Sequence, residues 1–104
     1  MAVFVHATLP GVTAEQYDAL DKELRALPGD HFDGCLSRVC TATESGVELF
    51  DLWESPEAVE KFGRVMLPLA GRLGLPMTSG PPRAVETHSH WIPGVRPRTT
   101  GRTR

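Results

Sequence analysis

In the run FDLWES, residues 50–55, an aspartate stands between two apolar residues where a strand gives way to a helix. A carboxylate in such a place needs a charge partner or a chemical task, because burying it alone is costly. The side chains that exchange protons near neutrality are imidazoles, and the chain has four, His6, His31, His88 and His90. A carboxylate near one or two imidazoles on a rigid sheet, with Trp53 beside it, is equipped for acid–base work on a flat apolar ligand. The catalytic candidates are therefore Asp51, His6, His88 and His90. The competing reading makes Asp51 structural, paired with Arg38 across the sheet or with an arginine across a dimer interface. His31, in the charged run DHFDG, is expected to be exposed. His88 and His90 share one side of a strand, but zinc takes three or four ligands, so no metal is expected. The chain has no Gly-rich phosphate loop, nucleotide fingerprint or nucleophile elbow, and no cofactor is expected.

The elements that must hold these groups are marked by local signals. AVFVHAT (residues 2–8) is β-branched and aromatic enough for a strand, ended by Pro10-Gly11. Thr13 can cap the next segment while Gln16 reaches back to it, and Val12 can staple onto Tyr17. Tyr17, Leu20, Leu24 and Leu27 then fall on one helical face. CLSRVCTA and GVELFDLWE read as two strands joined at Thr43–Gly46, a hairpin. Ser55-Pro56-Glu57 starts a second helix with an N-cap, a proline at the first position and an acid in the first turn. Val59, Phe62, Met66, Leu69 and Leu73 keep its period, and Pro68 is expected to kink it near Arg64. Residues 74–82 read as a loop, and RAVETHSHW as a last strand.

The order is β-α-β-β-α-β, an α+β, ferredoxin-like arrangement with a four-stranded antiparallel sheet in the order 4-1-3-2 and both helices on one face. Residues 1–92 form this domain. Residues 93–104, with four arginines in VRPRTTGRTR, are expected to be a mobile basic tail. The helix-free sheet face needs cover, and a second copy packed sheet to sheet is expected to supply it. Within the sheet, Val3, Val5 and Ala7 alternate with Phe4, His6 and Thr8, and Phe50 and Leu52 alternate with Leu49, Asp51 and Trp53. Matching the mixed faces of the two strands puts His6, Asp51 and Trp53 on one side. The last strand adds His88 and His90, or else Thr87, Ser89 and Trp91.

Composition narrows the partners. With 11 basic against 13 acidic residues the net charge is −2, which offers no basic field for nucleic acid. No apolar run reaches the ~18 residues of a membrane span, and MAVFVHATLPG does not read as a signal peptide. A cytoplasmic location without membrane association is expected. Cys35 and Cys40, five apart on one strand, are expected to point to opposite faces as reduced, buried fillers.

PGVTAEQYDAL, FDLWESPEAVEKF and the His-rich closing strand together resemble the dimeric α/β-barrel superfamily that holds the antibiotic-biosynthesis monooxygenase-like proteins, over residues 2–92. The resemblance implies a homodimer with a ligand pocket between each sheet and its own helices. It implies a small-molecule substrate and a cofactor-independent monooxygenase acting on an aromatic or polyketide-type metabolite of secondary metabolism. A polyketide cyclase or isomerase using Asp/His acid–base catalysis in the same pocket, and a non-catalytic dimeric binder, are the alternatives. In the quinone-forming oxygenases of this group a Trp in a WES motif lies four residues after an Asn, and both touch substrate. Trp53 matches the Trp, and Leu49 stands where the Asn would be. Tyr17, Phe62 and Met66 would complete an apolar slot with Trp53, and Arg38 is the remaining substrate-binding candidate. The axial-His motif of the haem-degrading branch has no match here.

Overall fold

The computed structural model describes residues 1–75 and 83–93. Along them run β1 (Val3–Pro10), α1 (Ala14–Ala26), β2 (Cys35–Thr43), β3 (Gly46–Trp53), α2 (Pro56–Arg72) and β4 (Arg83–Glu86). The strands form one antiparallel sheet in the order β2-β3-β1-β4. This is the expected ferredoxin-like topology. Residues 76–82 of the expected loop, and 94–104 of the expected tail, lie outside the described residues.

Both helix starts form as their local chemistry dictates. The Thr13 hydroxyl accepts from the Gln16 amide at 3.1 Å, and the Gln16 side chain accepts from the Thr13 amide at 2.9 Å. Ser55 accepts from the Ala58 amide at 3.2 Å, with Pro56 at the head of α2. Removing the first cap in Thr13→Ala should cost ~1 kcal/mol, read as a lower denaturation midpoint with an unchanged slope. Pro68 sits inside α2, which nevertheless continues to Arg72; its missing N–H leaves the Arg64 carbonyl without its usual partner.

Two glycines let the chain turn where side chains would collide. At Gly46, φ is +141° and an added Cβ would stand 2.5 Å from the Leu9 carbonyl oxygen, so the β2–β3 hairpin closes against β1 only with glycine there. At Gly34, φ is +92° and a Cβ would meet the Ala58 methyl at 2.8 Å, which lets β2 begin tight beneath the start of α2.

The core lies between the sheet and the helices. Val3, Val5, Leu20, Leu24, Trp53, Phe62, Leu69, Ala70 and Leu75 form one cluster, and Leu9, Val12, Tyr17, Val47 and Leu49 a second. The helix-free face carries Phe4, Val39 and Val85, all exposed.

Three expectations are corrected here. The register pairs Val5 with Asp51 and Val3 with Trp53, but His6 with Phe50. Opposite partners share a face, so Asp51 and Trp53 look toward the helices with the apolar stripe of β1, and His6 looks away from them. The apolar stripe tolerates the carboxylate because its charge is met from β2. Second, β4 ends at Glu86 rather than running through Trp91. Its partner has run out: Glu86 faces Val3, the first residue of β1, and Thr87 makes one more bond, to the Ala2 carbonyl at 2.9 Å. Third, the register shifts between Cys35 and Ser37, a bulge at Leu36. Cys35 therefore opposes Trp53 and Cys40 opposes Leu49, on the same face. Four register positions, roughly 13 Å, separate them. Both thiols are free, and Cys40 is exposed rather than buried.

Candidate functional site

A cavity of about 1070 Å³ lies between the sheet and its two helices. Its floor is the helix-facing side of β1 and β3, with Val5, Leu49, Asp51 and Trp53; α1 contributes Tyr17 and Leu20, and α2 contributes Phe62 and Met66. This volume is at the upper end of what small-molecule sites use. All six residues read from the sequence as substrate-binding, Trp53, Tyr17, Phe62, Met66, Leu49 and Arg38, line it. Exposed Arg64, Leu67, Pro68 and Arg83 place its mouth along the second half of α2 and the start of β4.

Asp51, 4% exposed, is the buried charged residue of the described core. Arg38 meets it side-on: Nε donates to Oδ1 at 2.9 Å and Nη2 to Oδ2 at 3.0 Å. The Trp53 indole N–H adds a third bond to Oδ2 at 3.3 Å. The Thr43–Gly46 hairpin sets this geometry, because the register runs unbroken from it to Ser37 and places Arg38 opposite Asp51. Arg38 is in turn fixed by aromatic faces, its Cζ 5.0 Å from the Phe62 ring centre and 5.6 Å from that of Phe32. Burial works against the Arg38 charge, but the bonds and the charge of Asp51 outweigh it and hold the guanidinium above its ordinary value. Burial also raises the Cys35 thiol, helped by the charge of Asp51. The structure thus gives Asp51 the partner that the competing reading assigned to it.

The histidines do not join this group. His6 borders the cavity, but its imidazole is engaged on the opposite face, 2.8 Å from Glu48 Oε1 and stacked on Phe50 with 4.8 Å between ring centres. His88 and His90 are exposed, beyond the end of β4. The described residues bring together no three His, Cys, Asp or Glu side chains able to hold a metal. His31 is half-buried rather than exposed, its Nε2 enclosed without a hydrogen bond. Sequence reasoning missed Phe32, which carries Arg38; its signal was an aromatic residue inside the otherwise polar run DHFDG.

No protein-family model matches the chain, and neither does any curated protein. Among solved structures it is similar to Rv0793 from Mycobacterium tuberculosis, with a TM-score of 0.60 at 18% identity over 86% of this chain and 98% of that one. It is similar also to a protein of Chloroflexus aurantiacus J-10-fl assigned as an antibiotic biosynthesis monooxygenase, with a TM-score of 0.51 at 21% identity, covering 88% and 99%. A monooxygenase from the gene ActVA-Orf6 of Streptomyces coelicolor, solved with Nanaomycin D, is 26% identical over 88% of this chain and 89% of its own. Its TM-score of 0.47 makes that likeness too loose to carry weight. The chain shares its fold with Rv0793 and with the Chloroflexus aurantiacus protein.

Proposed function

We propose that this chain is a monooxygenase-like enzyme that needs no cofactor and oxidises an aromatic or polyketide-type metabolite of secondary metabolism. The observation that supports this most is the cavity itself: apolar walls from both helices and the sheet, around one buried and fully organised polar cluster, Arg38–Asp51–Trp53. Such a pocket suits a planar ligand with a few polar groups. The likeness in fold to an antibiotic biosynthesis monooxygenase agrees with the reading.

The chemistry needs only substrate and dioxygen. An acidic phenol or enol gives up its proton, and the electron-rich carbon passes an electron to O₂. The two radicals join in a C–O bond, and the resulting hydroperoxide loses water. The net change is CH₂ + O₂ → C=O + H₂O. No described helix is long and apolar enough to cross a membrane.

The test is oxygen uptake with tricyclic phenols, the protein having been dialysed against EDTA and given no flavin or nicotinamide. Oxygen consumption and a new quinone carbonyl are expected, undiminished by the chelator. Turnover without oxygen consumption would instead identify a cyclase or isomerase. Binding without any turnover would identify a carrier, a reading favoured by the engagement of Asp51 with Arg38 and Trp53.

The working form is proposed to be a homodimer joined through the helix-free sheet faces, where Phe4, Val39 and Val85 are exposed together. Sedimentation at micromolar concentration should show a dimer, consistent with a standard interface of ~1,600 Å². A monomer would remove this part of the proposal.

A further inference from the structure

Arg38 has more hydrogen-bonding capacity than Asp51 uses. A guanidinium carries five N–H bonds in a planar fork, and Asp51 takes one from Nε and one from Nη2. The other edge, Nη1 with the second hydrogen of Nη2, makes no hydrogen bond among the described residues. Nη1 is not sealed in protein either, since the described buried polar atoms lacking a partner are His31 Nε2 and Thr87 Oγ1. Arg38 is nonetheless a cavity residue whose side chain is only 14% exposed. An open cationic edge is therefore available to a chamber whose walls are mostly apolar and whose other charged lining residues are Asp51 on the floor and Glu60, Arg64 and Arg83.

Tyr17 repeats the pattern. It is buried and lines the same cavity. Its hydroxyl makes no hydrogen bond among the described residues and is not enclosed. Burial raises the Tyr17 phenol above its ordinary value, although the charge of nearby Arg38 pulls the other way. It thus stays a neutral O–H donor at working pH. Two donors with unused capacity, one of them charged, are held on β2 and α1, each mostly buried. Asp51, itself on the cavity floor, occupies the Nε–Nη2 edge of Arg38, so the edge left open is the cationic end of the ion pair.

We propose that the open edge of Arg38 and the hydroxyl of Tyr17 form an anion-binding pair that receives the phenolate or enolate oxygen of the ligand, so that the cavity takes planar acids in their ionised form. This rests on the reading of the cavity as a small-molecule site. It assigns Arg38 and Tyr17 as the groups that hold the charge of the ionised substrate before oxygen is attacked, and Asp51 as the residue that positions Arg38. Each interaction is strong because the low-dielectric surroundings weaken competition from water.

The probe is alizarin, a planar tricyclic phenol whose visible absorption moves to longer wavelength on ionisation. Titrated with pH in the presence of excess protein, its bound pKa should lie about one to two units below the free value, the size of shift an adjacent opposite charge gives. Tyr17→Phe keeps the ring and removes one donor, and should return part of that shift. Arg38→Gln combined with Asp51→Asn removes both charges together, leaves none stranded, and should return most of it. A bound dye titrating at or above its free value would overturn the inference. So would a lowered value that survives unchanged in both variants. Because this experiment reads no turnover, the failures separate. Oxygen uptake with an unshifted dye removes the anion site alone, whereas a shifted dye without oxygen uptake upholds the site and removes the oxygenase.

Discussion

Asp51→Asn should lose ~3–5 kcal/mol of stability, the usual result of stranding one partner of a buried ion pair. In a chain of this size that lowers the melting midpoint by more than ~10 °C. The reason is Arg38, whose charge stays buried above Phe62 and beside Phe32 after its counter-ion is gone. An amide also cannot accept the side-on pair of bonds at both of its atoms, because its NH₂ group would face a guanidinium N–H. Arg38→Gln/Asp51→Asn should be much less destabilised than the single variant, and the difference measures the coupling. Urea denaturation of the wild type, both single variants and the double variant supplies the cycle. The opposite result would be an unchanged midpoint with turnover lower by ~10²–10⁴-fold. That would identify Asp51 as a general base, in contradiction to the three hydrogen bonds it accepts here.

What could be read from the sequence divides along the range of the forces involved. The Thr13/Gln16 box, the Ser55-Pro56 start and the Thr43–Gly46 turn are decided within four residues, and each forms. The order of strands follows from connection rules and an alternating apolar pattern, and it too was legible. The pairing of faces was not. Both β1 and β3 have one apolar and one mixed stripe, so the choice between registers depends on a third strand, where Arg38 supplies the counter-charge. The phase of that strand at Arg38 follows from the Thr43–Gly46 hairpin, whose register runs unbroken to Ser37, while the bulge at Leu36 is a one-residue slip that moves Cys35 to the other face. The sequence cue was Arg38 itself, an ionisable residue inside CLSRVC whose burial demands an acid opposite. His6 was misplaced by the same ambiguity: its partner is Glu48, two residues from Phe50 on the outward stripe of β3.

Trp53→Ala should be comparably severe, at ~3–5 kcal/mol, and comparison with Trp53→Phe separates its two roles. Trp53 is 1% exposed, packs on Phe62 with 5.1 Å between ring centres, and donates its indole N–H to Asp51. Alanine removes the packing and the bond together and enlarges the cavity floor. Phenylalanine retains most of the apolar contact, and Asp51 keeps both bonds from Arg38. Trp53→Phe should therefore cost only ~1–2 kcal/mol, the loss of one hydrogen bond with some packing. Equal losses in the two variants would mean that the indole N–H, not the packed ring, dominates. A Trp53→Ala protein within ~1 kcal/mol of wild type would show that the floor collapses to refill the space. The same residue reports on the cavity. The chain has two tryptophans, and the other, Trp91, is 83% exposed. In a Trp91→Phe background, emission comes from Trp53 alone, and a planar ligand seated against the cavity floor should quench it.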